Sequence, residues 1–194
     1  MTTTQTKIYP GMLDDQVEFF KCSTGVKIIS SGTITAFSEI ATHTYQLLKE
    51  KLAIDTPALE ILKQWYPNSE LQRIEKFTEC RFGGLDFTPD ISKNNLQDGE
   101  YWDCKFRGEC KGEGVVCRAL KFKGRQLDSR EIKLMKWLSG NATNDVIAEA
   151  LDMSLGLFHK IKQRLYLKLG VQTKQEVALI AASLNLVPSV SATA

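Results

Sequence analysis

"SLGLFHKIKQRLYLKLG", Ser154 to Gly170, decides how this 194-residue chain is read. Phe158, Ile161, Leu165 and Leu169 recur at i, i+3, i+7 and i+11, a spacing that lines one side of a helix with groups that must face a core. His159, Lys160, Lys162, Gln163 and Tyr166 fall largely off that stripe. The stretch is either one more packed amphipath or a helix whose outer side meets a polyanion. Its surroundings favour the second. A short helical pattern precedes it by only "DMS", no Asp or Glu occurs from 153 to 175, and the off-stripe side is basic and amide-rich. A helix-turn-helix needs a three- or four-residue turn, then a helix whose outer face can enter a major groove.

Working outward, the flanks read as three further helices. One begins at "DSRE", where Asp128 and Glu131 have capping-box spacing, and stops at Gly140. A second begins at Thr143 and runs "NDVIAEAL" to about Leu151. The opening stretch is the third, capped by Ser154 and stopped by Gly170. The last begins at "TKQE", where Thr173 and Glu176 repeat the capping-box spacing, and runs to about Asn185. Caps, stops and apolar period agree at nearly every boundary.

Leu127 to Val187 resembles the four-helix DNA-binding domain of the LuxR/GerE family of bacterial transcription regulators. The residues that carry the resemblance are "SRE" opening the first helix, Gly140, the "IAEAL" core, Ser154 and the "KLGV" ending from Lys168. The resemblance implies that His159, Lys160 and Gln163 face base edges, where Lys can donate to guanine and Gln can pair with adenine. It implies that Thr143 and Ser154 approach phosphates together with their helix N-termini. Lys162, Arg164 and Lys168 become candidates for neutralising the backbone, with packing against the helix end as the alternative for Lys168. Leu157-Phe158-His159 stands where the family usually has Thr-Val-Lys, and Ile161 where it has His; the loss of a fixed charge at His159 changes what the helix can read. On the last helix Val177, Ile180, Ala181 and Leu184 form a stripe. In the family that helix pairs across a two-fold axis, which implies a homodimer on an inverted repeat. The other reading has the stripe pack on the chain's own N-terminal part.

Charge supports a divided molecule. Residues 118–174 hold twelve Lys/Arg against five Asp/Glu, a local +7, which leaves −5 for the rest and +2 for the whole. Hydrophobic content of 43% and charged content of 25% are ordinary for a globular protein. No run of about 18 apolar residues is present to span a membrane. "MTTTQTKIYP" lacks a signal-peptide core, so the expected location is the cytoplasm. No Ser/His/Asp set, phosphate-cradling glycine loop or HExxH motif appears, and the chain is not expected to be an enzyme.

Residues 1–118 read as an α-rich module. "VKII" and "TITAF" around "SSG" signal a hairpin within an otherwise irregular 1–36. "SEIATHTYQLLKEKLA", "DTPALEILKQWY" with Asp55 as N-cap, and "SELQRIEKFTEC" with Ser69 as N-cap read as helices. Residues 82–118 are rich in Gly, Asn, Asp and Pro without a steady period, and a structureless stretch of that length is uncommon inside a compact domain. Four of the five cysteines crowd against it: Cys80, Cys104, Cys110 and Cys117, spaced C-x23-C-x5-C-x6-C. Four thiolates suit a structural zinc ion that holds together a region too polar to make its own core. The spacing lacks a C-x2-C knuckle, and an iron–sulfur cluster or unligated thiols remain open alternatives. Residues 119–126 read as a connector and 188–194 as a disordered tail.

The expected fold is therefore mainly α: an α-rich N-terminal module with a four-cysteine loop region, then a four-helix domain of LuxR type. The expected function is a dimeric, sequence-specific transcription regulator whose partner is double-stranded DNA, with RNA polymerase or another protein as a further partner. The alternative is a protein-interaction module of a larger assembly, of phage or mobile-element kind, that keeps a degenerate helix-turn-helix as scaffold.

Overall fold

The structure is a computed structural model that describes residues 8–184, 186 and 187; the expected tail at 188–194 lies outside the described residues. The chain divides into two compact units, residues 1–118 and 119–194.

The first unit is built on a five-stranded antiparallel sheet, and this corrects the mainly-α expectation: the protein is mixed α/β. Strands β1 (Val17–Cys22), β2 (Gly25–Ser30), β3 (Thr33–Ala36), β4 (Ile91–Ser92) and β5 (Asn95–Leu96) lie in the order β3-β2-β1-β4-β5. The sequence hairpin is β2–β3, with Lys27 opposite Ala36 and Ser30 opposite Thr33. Strand β1 escapes pattern reading because Val17, Glu18 and Phe19 are all buried, so the alternation of a half-exposed strand is missing. Strands β4 and β5 are two residues each, too short to show any period. They are joined by Lys93-Asn94, both at positive φ, the two-residue hairpin geometry that matches strand twist.

Three helices cover one face of this sheet. Helix α1 (Thr42–Ile54) follows a 3-10 turn over Phe37–Glu39, and α2 (Thr56–Trp65) follows α1 almost at once. The Asp55 carboxylate accepts from the Ala58 N–H at the start of α2, and Pro57 sits in the first turn where its missing N–H does no harm. Helix α3 (Glu70–Phe82) is capped by Ser69 and packs on β1 and β2. Phe19, Val26 and Ile28 from the sheet meet Leu48, Leu62 and Phe77 from the helices in one core.

The second unit begins with a hairpin where a connector was expected. Strands β6 (Lys121–Phe122) and β7 (Arg125–Gln126) are joined by Lys123-Gly124, again both at positive φ, with Leu120 and Leu127 buried at its base. Helices α4 (Ser129–Leu138), α5 (Asn144–Ala150), α6 (Leu155–Leu169) and α7 (Lys174–Ser183) follow. Asp128 with Glu131, and Thr173 with Glu176, form reciprocal capping boxes; Thr143 and Ser154 cap α5 and α6. Gly170 ends α6 with φ of 70°, a left-handed residue that costs glycine nothing.

Candidate nucleic-acid interface and a four-cysteine cavity

Helix α6 has two sides because the core takes one of them. Phe158, Leu165 and Leu169 are fully buried, and Ile161 is half-buried. His159, Lys160, Gln163 and Arg164 are exposed along the other side. The helix is entered through Asp152, left-handed at φ of 51°, so Leu151 to Ser154 reverse the chain between α5 and α6. That length is the tight turn a helix-turn-helix requires. His159, Lys162, Gln163, Tyr166 and Leu167 of α6, with Val171 just beyond it, border one open concavity.

The remaining predicted contact residues are already engaged to different degrees. Lys162 bonds Asn144 Oδ1 at 3.3 Å and lies over the rings of Phe158 and Tyr166, so its aliphatic stem is packed and its charge held near the start of α5. Lys168 reaches the Glu131 carboxylate at 2.6 and 2.8 Å, which ties the end of α6 to the start of α4 and favours its packing role over backbone neutralisation. The hydroxyls of Thr143 and Ser154 accept from Val146 N and Leu157 N, leaving both side chains exposed at their helix N-termini. Sequence reasoning gave Val177, Ile180, Ala181 and Leu184 one shared surface, and the structure divides them. Val177 and Ala181 are fully buried inside their own unit, which corrects their assignment to a contact between copies; Ile180 and Leu184 are half-buried. The outward apolar residue of α7 is Leu179, 72% exposed, which lies off the sequence stripe.

A second constellation lies in the first unit. Cys80 sits near the end of α3, Cys104 and Cys110 in successive turns, and Cys117 at the exit of the loop, and all four line one enclosed cavity together with Trp102 and Val116. Cys117 is buried and the others are half-buried. The Cys104 carbonyl accepts from Arg107 N at 3.1 Å and the Cys110 carbonyl from Glu113 N at 3.0 Å, so each of these cysteines opens a turn. Gly114 N donates to Cys117 Sγ at 3.4 Å, and the left-handed φ of 73° at Gly114 makes that approach accessible. Burial pushes the Cys80 thiol up to about 12. Among the described residues no three His, Cys, Asp or Glu side chains stand close enough together to hold a metal ion as the side chains are placed.

Sequence reasoning missed a third feature, a set of carboxyls withdrawn from solvent around β1 and the segment after α3: Glu18 and Asp90 are buried and Glu100 is half-buried. Glu18, on β1, accepts from Asp86 N through Oε1 at 3.0 Å, and its Oε2 is buried without a partner. Asp90 accepts from Phe19 N at 2.8 Å, and Glu100 from Gly84 N at 2.7 Å. Desolvation is the main cause that raises Glu18 to about 8, Asp90 to about 10 and Glu100 to about 9. Asp86 adds repulsion at Glu18, and a side-chain hydrogen bond and repulsion at Glu100, while Glu18 adds repulsion at Asp90. The one sequence trace of this cluster is Glu18 inside the apolar run "VEFF".

No helix among the described residues is long and apolar enough to cross a membrane. A scan against models of known protein families, a search of curated proteins and a search of solved structures return no match to this chain.

Proposed function

We propose that the protein is a sequence-specific DNA-binding transcription regulator that acts as a dimer and places α6 in the major groove. The observation that carries this reading is the outer face of α6, where His159, Lys160, Gln163 and Arg164 stand exposed beside a buried stripe. Lys160 and Gln163 are the base readers, through the donor and amide patterns that distinguish guanine and adenine in that groove. Arg164, Lys162 and the N-termini at Thr143 and Ser154 position the helix on phosphates without choosing a sequence. The local charge of +7 across 118–174 supplies the attraction. Dimerisation runs through the outward side of α7, with Leu179 at its centre and Ile180 and Leu184 beside it. Such a regulator works in the cytoplasm.

The test is equilibrium binding to a randomised duplex pool over a range of salt. A DNA reader selects a consensus with two-fold symmetry and loses affinity at a log–log slope of roughly −0.9 per phosphate contacted. A second reading draws on Leu155, Leu157 and Leu167, which lie exposed on α6 itself. In that reading the helix-turn-helix is a scaffold for protein contacts, and the same assay retains no duplex at any salt.

A further inference from the structure

The four cysteines come from three separate parts of the first unit, and nothing in their spacing along the chain obliges them to meet. They meet nonetheless: Cys80 from α3, Cys104 and Cys110 from the turns at 104–113, and Cys117 from the last loop residues all border one enclosed cavity. The cavity measures about 20 Å³. That is room for roughly one water-sized body, since a single probe sphere occupies about 10–15 Å³. A water there would need two to four polar partners. Cysteine thiols bond water weakly and bind thiophilic cations strongly.

The loop also needs something to hold it. From 83 to 118 the described residues form regular structure only at β4 and β5, and three of their large apolar side chains, Leu85, Phe87 and Phe106, are exposed. Ile91 and Val116 are buried, and Leu96, Tyr101, Trp102 and Val115 half-buried, a modest return for ordering a segment of that length. Arg81 contributes by donating to the carbonyls of Val115 and Val116, which fixes the end of the loop beside α3. The turns at 104–113 are held by Arg107, which donates to the Trp102 and Arg118 carbonyls, and by Gly112 against Trp65.

We propose that Cys80, Cys104, Cys110 and Cys117 bind one tetrahedral Zn²⁺ that fastens the 83–118 segment to the end of α3. Each thiol releases its proton to solvent on binding, so the cation and four thiolates carry a net charge of −2. The Arg107 guanidinium lines the same cavity and opposes that charge, as does the Lys76 ammonium that acts on Cys80. The Gly114 amide already points at Cys117 Sγ, and a thiolate accepts such a bond better than a thiol does. Binding draws the four sulfurs together onto the ion, and the turn beside Cys117 is unhindered at Gly114, where an added Cβ would meet nothing. Zinc is favoured over an iron–sulfur cluster because a cavity of this size admits a single ion and not a group of iron and sulfide atoms.

The site belongs to the first unit alone, so its test is independent of DNA binding. The full chain, purified without chelator, is measured by elemental analysis, and its reactive thiols are counted before and after treatment with a strong zinc chelator. The expected result is one zinc per chain, with only Cys22 freely reactive at first and all five cysteines reactive after chelation. Cys22→Ser keeps its zinc, whereas Cys110→Ser loses at least tenfold in zinc content. Should Cys110→Ser fail to fold, the thiol count on the unaltered protein decides the matter. A metal-free chain with five reactive thiols that added Zn²⁺ does not protect overturns the proposal. So does a brown, iron-bearing protein, and so does an internal disulfide in place of the metal.

Discussion

The two units are held together by different kinds of interaction. In the first, Glu18, Thr44, Thr78, Arg81 and Asp90 are all buried; Glu18, Arg81 and Asp90 bond partners far along the chain, and Thr78 bonds a carbonyl of its own helix. In the second, among the described residues, no polar or charged side chain is buried. Its helices are fixed by caps at their ends, by apolar stripes and by the half-covered Lys168–Glu131 pair, while the charges on the outer side of α6 face outward. The difference teaches where each unit is vulnerable. The first depends on desolvated charge and on contacts between residues far apart in sequence; the second depends on packing and leaves its polar side free for a partner.

The contrast can be broken most severely at Arg81. Its guanidinium holds Asp55 and two loop carbonyls while almost wholly buried, so Arg81→Ala strands one partly buried carboxylate and two backbone acceptors. A cost of about 3–5 kcal/mol is expected, as for breaking a buried pair. Hydrogen exchange followed by mass spectrometry should show α2, α3 and 112–118 losing protection while α4–α7 keep theirs. Equal loss in both units would dissolve the distinction. The counterpart in the second unit is Phe158→Ala, which leaves a cavity worth about 3–5 kcal/mol and should open α4–α7 selectively.

Acidity separates the units next. A carboxyl whose pKa is raised in the folded state keeps a proton that the unfolded chain gives up, so folding weakens as pH rises from the ordinary carboxylate range through the folded value. For Glu18, raised to about 8, with Glu100 at about 9 and Asp90 at about 10, the first unit should lose stability steadily between about pH 5 and pH 9. Urea midpoints at pH 5 and pH 8, read on Trp65 and Trp102 of the first unit against Trp137 of the second, check this. Asp90→Asn keeps an acceptor for Phe19 N and should flatten the slope. A midpoint for the first unit that rises with pH would contradict the burial of these carboxyls.

The same contrast explains which parts were legible in the sequence. Helices α2 to α7 announce themselves because Asp55, Ser69, Asp128, Thr143, Ser154 and Thr173 each bond an N–H only a few residues away. Such signals are local and survive in one dimension. Strand β1 was hidden because Glu18 points to a second buried face whose cover, residues 84–90, lies about seventy positions downstream. The β4–β5 hairpin turns on Lys93-Asn94 without a glycine to mark it. Of the candidate residues, those on α6 could be sorted by helical period, whereas Val177, Ile180, Ala181 and Leu184 on α7 could not, because the stripe alone does not say which side of α7 the core takes. The four cysteines were legible as a cluster that suits one metal ion, whereas the cavity they share with Trp102 and Val116 was not.

Smaller effects sharpen the picture. Asp128→Ala removes a cap and should cost about 1 kcal/mol, confined to the second unit. Leu179→Lys lies on an exposed site and should move stability by less than about 0.5 kcal/mol, yet reduce dimer formation in sedimentation. An unchanged dimer would move the contact between copies off α7.

The central claim, that the outer face of α6 reads DNA, is tested most directly by comparing the unaltered chain with Lys160→Ala/Gln163→Ala on a selected duplex and on one scrambled at the preferred positions. Discrimination between the two duplexes should fall by about 1–3 kcal/mol for each lost bidentate contact, with binding to the scrambled duplex changed far less. Undiminished discrimination by a folded double variant would contradict the account.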